Sequence, residues 1–406
     1  MEQYLLRKKI FTIIFLVAVI GYSVLNGYYG YEEWWKELKQ EYAENRTISE
    51  LIAELEEEII DVMYQKMSFI EFYSYIQVLM DKREFNNLAY IKDEKGYLHY
   101  VSVFKEEDTK IVEYAKRVKR LQDSVSRNGT KVLFVMTPGK YIEGESEFLT
   151  GLPVNNPNST VDELLFYLNR FGVDTIDLRN YIPNDTLSYE DVFFKTDHHW
   201  TVPASFEAAR IIVDTIEEEY GEDLDPDDYY MNLDNYETVV YKHGMFGSMG
   251  RKTGANFSGI EDFVSLWPRF QTYYTRQTIE DSGDVEISSG TAEETILSTS
   301  VLEKGDTIYS DSQYSLYMDV INPYEKVVNE DNPDGCKMLA IRDSYFSPIM
   351  AFLLPMFSEI DAIWYLEELE EIDIEKYVLE NIFDYIIIEV YPYNIDEVAF
   401  QYFKEG

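Results

Sequence analysis

Met338-Leu339-Ala340-Ile341-Arg342-Asp343-Ser344-Tyr345 is the stretch on which the fold turns. Four apolar residues, too few for a helix, run into a polar turn, and a second apolar stretch at 346–357 follows at once. A short apolar run without polar alternation predicts a strand covered on both faces, as in a parallel sheet between helices. The pattern repeats on either side. Upstream, a helix near 107–127 leads to a strand at Val132–Met136, and a helix near 160–171 leads to a strand at Val173–Leu178. Another helix is expected over roughly 202–220. Downstream come a helix at 346–357, a strand at Ala362–Tyr365, a helix near 373–381 and a strand at Tyr385–Val390. Strands alternating with helices predict an α/β fold, a doubly wound sheet covered by helices. Ligands in such folds sit beyond the carboxyl ends of the strands.

Two segments depart from this alternation. Residues 88–104 read as a hairpin, with Leu88–Ile91 and Tyr97–Val103 flanking the turn Asp93-Glu94-Lys95-Gly96. Residues 224–336 interrupt the order. They hold Gly244-Met245-Phe246-Gly247-Ser248-Met249-Gly250-Arg251-Lys252 and then a polar, strand-prone stretch, expected as an insertion that walls a cleft.

The N-terminus sets the expected compartment. Arg7, Lys8 and Lys9 precede an apolar run from Ile10 to Leu25 that continues weakly to Tyr29. At about 1.5 Å per residue, Ile10–Tyr29 is roughly 30 Å long, enough for a bilayer core. Positive charge before the run predicts a cytoplasmic N-terminus and an extracellular remainder, with Tyr28, Tyr29, Trp34 and Trp35 in the interfacial belt. No small-x-small cleavage site follows, which favours an uncleaved signal anchor over a removed signal peptide. The expected domains are 1–30, a cytoplasmic tip and transmembrane helix; 31–85, a helical stalk or cap; and 86–406, the α/β domain with its insertion. In the stalk, Leu51, Ile52, Leu55, Ile59, Ile60 and Met63 recur at helical spacing. The expected location is the cell membrane, single-pass, with the large domain outside.

Lys and Arg number 35 against 76 Asp and Glu, a formal charge of −41, which repels phosphate backbones and argues against nucleic acid as a partner. Cys336 is the single cysteine, so no intrachain disulfide and no zinc site with two or more cysteines can form. No motif calls for a cofactor or a resident metal.

Histidine is scarce: His99, His198, His199 and His243. Two lie together in Thr196-Asp197-His198-His199-Trp200, on a loop entering the 202–220 helix, with Thr201 placed to cap it. A carboxylate two residues before an imidazole can hold one ring nitrogen and leave the other free as a base. Ser344, on a strand-to-helix turn, has an exposed hydroxyl and an N–H near a helix N-terminus, where developing negative charge is stabilised. A hydroxyl is a weak nucleophile at neutral pH and needs such a base. Alone, the serine could be a plain helix cap and the Asp-x-His a surface pair. Together they share one expected location, the carboxyl end of the sheet.

These residues carry a resemblance. The Asp-x-His-Trp box (Asp197, His199, Trp200), the Asp-Ser-Tyr turn (Asp343, Ser344, Tyr345) and the strand end Met136-Thr137-Pro138-Gly139-Lys140-Tyr141 are similar to the family named DHHW for its Asp-His-His-Trp motif. That family belongs with the SGNH-hydrolase-like alginate O-acetylation proteins, in which the Asp-x-His pair also precedes the serine. The resemblance implies an SGNH-hydrolase-like fold, with Ser344 as nucleophile, His199 as base and Asp197 as its partner. It implies transfer of an acetyl or similar acyl group, or ester hydrolysis, on a cell-surface polysaccharide, beside a membrane-bound O-acyltransferase. The chain departs from the SGNH pattern at Arg342, where a glycine usually precedes Asp-Ser. The glycine and asparagine that complete the usual oxyanion hole have no clear counterpart. Gly139, His198, Arg342 and Tyr345 are the candidates for oxyanion or supporting positions. Two alternatives stay open: a non-catalytic polysaccharide-binding or scaffold protein of an O-acylation complex, and a metal-dependent phosphoesterase, a class that also carries Asp-His-His. The second wants an Asp-x-Asp box near an early strand, and none occurs before residue 191.

Overall fold

The computed structural model describes residues 2–43, 63–101, 108–154, 156–279, 283–302, 309, 312–319, 322–365 and 373–404. They form two compact units, Met1–Val78 and Leu79–Gly406.

The first unit holds helix α1 (Glu2–Ala43) and helix α2 (Lys66–Leu79). Within α1, Tyr4–Tyr31 contains an 18-residue stretch with a mean hydropathy of 2.1 and is long and apolar enough to cross a membrane. The helical spacing read over 51–63 lies, apart from Met63, outside the described residues.

The second unit opens with three short antiparallel strands, β1 (Glu84–Phe85), β2 (Tyr90–Lys92) and β3 (Leu98–Tyr100). Strands β2 and β3 are the expected hairpin, in register at Tyr90 opposite Tyr100. Then follow α3 (Asp108–Val125), β4 (Lys131–Met136), α4 (Asn158–Phe171), β5 (Asp174–Asp177) and α5 (Val202–Tyr220). Next are β6 (Tyr236–Met245), α6 (Ser248–Thr253), β7 (Glu261–Pro268), β8 (Tyr273–Ile279), β9 (Val285–Thr291) and β10 (Tyr324–Asn329). The chain ends with β11 (Lys337–Arg342), α7 (Phe346–Leu353), β12 (Glu359–Trp364), α8 (Ile374–Glu380) and β13 (Tyr385–Val390).

The main sheet has eight strands in the order β5-β4-β13-β11-β12-β10-β8-β9. The first five run parallel. Their apolar runs are continuous because both faces are covered. Leu133 and Val135 of β4, with Met338 and Ala340 of β11, pack into one cluster with α5 and α7. Val132, Phe134 and Met136, with Leu339 and Ile341, pack into another with α3 and α4. The result is a helix–sheet–helix sandwich with a core on each side of the sheet.

The segment expected as a separate insertion is only partly one. Strands β6 and β7 form a ribbon of their own. Strands β8, β9 and β10 instead extend the main sheet, antiparallel, beyond β12. Hydropathy hides this. The residues of β8 that face inward are Tyr274, Arg276 and Thr278, so its period of two is real but largely polar.

Candidate active site

Strands β4, β13 and β11 lie side by side, and their carboxyl ends deliver three loops to one edge of the sheet. At the end of β11 the chain turns through Asp343 and Ser344 into α7. Asp343 fixes this turn from beneath. One of its carboxylate oxygens accepts from the Tyr345 N–H at 2.9 Å. The other accepts from the Tyr365 hydroxyl at 2.6 Å, the Tyr391 N–H at 2.9 Å and the Asn394 side-chain amide at 3.0 Å. The Asp343 N–H in turn donates to Glu389 Oε2 at 3.1 Å. Burial, together with the adjacent Asp343, pushes Glu389 well above the usual carboxylate range.

The Asp-His loop reaches the same edge from the other direction. A bridge between Phe193 and Trp200 closes it, and Thr201 caps α5 by accepting from the Ala204 N–H at 3.4 Å. Trp200 is fully buried, its indole N–H directed to the Tyr345 carbonyl at 3.3 Å. The loop then presents an unbroken row. His199 Nδ1 lies 2.7 Å from Asp197 Oδ1, and His199 Nε2 lies 2.7 Å from Ser344 Oγ. With the proton on Nδ1 directed at Asp197, Nε2 is free to accept from the Ser344 hydroxyl.

The electrostatics match that tautomer. Burial pulls His199 down to about 4, with His198 adding to the effect and Asp197 opposing it. Burial acts to raise Asp197, but the charges and hydrogen bonds of His198 and His199 outweigh it and hold the carboxyl well below its ordinary range. At neutral pH the pair is therefore an ionised carboxylate beside a neutral imidazole, the state a general base requires.

Residues distant in sequence hold the loop. The Ser248 N–H donates to Asp197 Oδ2 at 2.6 Å, and the Gly247 N–H donates to Thr196 Oγ1 at 2.9 Å. Gly247 has no room for a side chain: a Cβ there would sit 2.4 Å from Asp197 Cβ and 2.6 Å from the Thr196 carbonyl oxygen. Glu261 accepts from the N–H groups of Lys195 and Thr196 at 2.8 and 2.7 Å. The buried Lys140 donates to the carbonyls of Asp197 and Lys195 at 2.5 and 3.1 Å. Burial lowers this ammonium to about 8, against the pull of Glu261, Asp197 and Asp93. Tyr314 stacks on His199 with ring centroids 4.0 Å apart, and its hydroxyl donates to the Ser344 carbonyl at 3.1 Å.

The structure thus brings Ser344, His199 and Asp197 into one chain of hydrogen bonds. His198 lies beside them, partly exposed, its Nδ1 3.2 Å from Asp197 Oδ1 and its ring centroid 3.8 Å from that of His199. Tyr345 stacks on Tyr391 at 4.4 Å, and its hydroxyl donates to the His198 carbonyl, linking the two loops. Gly139 lies on the loop after β4, where a Cβ would stand 3.3 Å from the Tyr393 ring. Arg342 does not join the group. It is fully buried and pairs with Glu325 at 2.5 Å, which also binds Arg276 at 2.8 Å. Among the described residues the Ser344 N–H has no hydrogen-bond partner, so it is available to an oxyanion. Sequence reasoning missed Tyr314, Lys140 as a support, Glu261 and the Gly247–Ser248 clamp. The clustered glycines at 244–250 were the one available signal.

Among the described residues, Asp197, His198 and His199 form the one group with donors for a metal ion. Their donor atoms are already engaged with one another, and His199 with Ser344. A metal held there would replace the His–Asp pair rather than add to it.

A sheet with a parallel centre, with a serine and an Asp-x-His brought together at its carboxyl ends, defines an SGNH-hydrolase-like α/β protein. Residues 94–240 match the family model of the SGNH hydrolase-like domain of the acetyltransferase AlgX. Curated protein sequences give no match. Among solved structures, the chain resembles a DHHW family protein from Eubacterium siraeum with a TM-score of 0.57 and 16% identity, over 78% of this chain and 96% of that one. It resembles Bacillus cereus PatB1 with a TM-score of 0.61 and 17% identity, over 77% of this chain and 99% of that one. PatB1 with a sulfonyl adduct gives a TM-score of 0.61 and 16% identity, over 78% and 97%. The likeness to the DHHW family read from the motifs therefore extends to the fold.

Proposed function

We propose that this protein transfers an acetyl or similar acyl group to a hydroxyl of a cell-surface polysaccharide through Ser344, on the outer side of a membrane in which α1 is anchored. The observation that carries the reading is the row Asp197–His199–Ser344, each step 2.7 Å long. The Ser344 oxygen attacks the donor's acyl carbon while its proton passes to His199 Nε2. The tetrahedral oxyanion lies against the Ser344 N–H. Its collapse expels the donor's leaving group, which takes the proton from His199, and acyl-Ser344 remains. A sugar hydroxyl then attacks this ester, giving its proton to His199, which returns it to the serine oxygen as the acyl group departs. With water in place of the sugar, the same steps make an esterase. The AlgX family match supports acetyl as the group, and the polysaccharide acceptor is what the resemblance of the motifs implies.

The test is labelling of folded protein with a sulfonyl fluoride, followed by peptide mass spectrometry. A single adduct on Ser344 is expected, lost in Ser344→Ala and slowed by at least about 10³-fold in His199→Ala. A folded protein that acquires no adduct would mean a binding or scaffold role. Phosphodiesterase activity abolished by a chelator would instead favour metal chemistry at Asp197, His198 and His199.

A further inference from the structure

We infer that helix α2 is a second membrane contact, with its aromatic face in lipid beside the outer end of the Tyr4–Tyr31 span. This rests on reading that span as an anchor. Of the 14 residues of α2, only Lys66 and Glu71 carry charge. Its burial is inverted. Ser74 and Gln77 are buried, whereas Phe69, Phe72, Tyr73 and Tyr75 are 49%, 65%, 44% and 51% exposed. At about 100° per residue Phe69, Phe72 and Tyr75 centre opposite Ser74 and Gln77, with Tyr73 at the border between the two sides. A helix in water buries its apolar side and wets its polar side. The reverse suits a helix whose surroundings are lipid, and tyrosine and phenylalanine suit the interfacial zone.

The contacts of α2 with α1 identify what covers that face. Tyr64, just before α2, donates its N–H to Asn26 Oδ1 at 2.8 Å and accepts from the Tyr22 hydroxyl at 2.8 Å. The Tyr64 ring stacks on Tyr29 at 4.7 Å, and Phe69 meets Tyr22 edge-on at 5.4 Å. Tyr22 and Asn26 precede the end of the span by nine and five residues, roughly 13 and 7 Å along the helix. The start of α2 therefore lies at a depth the span itself occupies, and whatever surrounds that part of the span surrounds Phe69. The same bonds give Tyr22 and Asn26, polar groups inside an apolar span, the partners that lipid cannot supply.

The test uses the full chain in phosphatidylcholine–phosphatidylglycerol vesicles, in a Cys336→Ser background. An environment-sensitive fluorophore is placed by Phe72→Cys or Tyr75→Cys, with Phe15→Cys in the span and Ile287→Cys on β9 as references. All four positions are exposed, so packing is little disturbed, and each labelled protein is checked for the parent's unfolding temperature. Labels at 72 and 75 are expected to behave like the one at 15: blue-shifted, quenched by acyl-brominated lipid, and several-fold better shielded from iodide than the one at 287. Iodide quenching at 72 and 75 equal to that at 287, with 15 still shielded, overturns the inference and leaves the anchor standing. Shielding from both quenchers overturns it in favour of a protein partner or a second copy. Iodide access at 15 removes the anchor, and this inference with it.

Discussion

The Ser344 turn and the Asp-His loop meet at Ser344 and His199, but they are held in different ways. The turn is held by the sheet that produces it: Asp343 is fastened by Tyr345, Tyr365, Tyr391 and Asn394, all next to the ends of β11, β12 and β13. The loop is held by parts from elsewhere. Gly247 and Ser248 grip it through backbone N–H groups, Glu261 holds its entry, Lys140 binds its carbonyls and Tyr314 covers its imidazole. Ser344 is thus placed by the fold, and His199 by the elaboration built on the fold. Damage to the elaboration should spoil the chemistry while sparing the sheet.

Gly247→Ala is the sharpest way to break that contrast. Its φ of −66° is ordinary, so only space forbids the methyl group, and Asp197 or Thr196 must move. Labelling of Ser344 should slow by about 10²-fold, the scale of an ångström of misplacement, with far-UV dichroism unchanged. A rate within twofold of the parent's would show that the clamp is not needed. Asp343→Asn strikes the turn instead. An amide group must face at least one of the four donors that now meet oxygen, at a cost of about 1–3 kcal/mol. Denaturation should show that loss, with labelling slowed by roughly tenfold.

The pH dependence separates the loop's electrostatics from its geometry. A base that protonates as pH falls through about 4 is still mostly neutral at pH 5. Labelling should therefore change by less than about twofold between pH 7 and 5, whereas an imidazole of ordinary pKa would lose more than about tenfold. Smallest of all should be the effect of Arg342→Met on the chemistry. Arg342 faces Glu325, away from the reacting groups, so the folded protein should label at the parent's rate. Its unfolding free energy should fall by about 1.5–3 kcal/mol, because Glu325 loses one charged hydrogen bond while Arg276 still pairs with it.

The same contrast explains what the sequence disclosed. The strands of the parallel half were legible because burial on both faces leaves continuous apolar runs, as in Met338–Ile341. Ser344, His199 and Asp197 were legible because each sits in a short local pattern. The antiparallel half was not, since β8 turns Tyr274, Arg276 and Thr278 inward and so lacks an apolar stripe. Nor was the clamp. Gly247 matters for the space beside Asp197, some fifty residues away, and no local spacing records that distance. Tyr314 was hidden for the same reason, as one tyrosine among 35.

Arg342 stands where relatives of this fold usually carry glycine, and Glu325 with Arg276 gives it a reason to stay. The register sets Ala340, Ala362 and Glu325 in one row across the sheet, small residues leaving a passage for the long side chain. Position 342 is therefore tied to the antiparallel half of the sheet. A lineage that trimmed β8 and β10 would strand a cation in the core and would have to change Arg342 in the same step. Arginine at 342 and glutamate at 325 should thus be gained and lost together across relatives, marking those that carry the wider sheet.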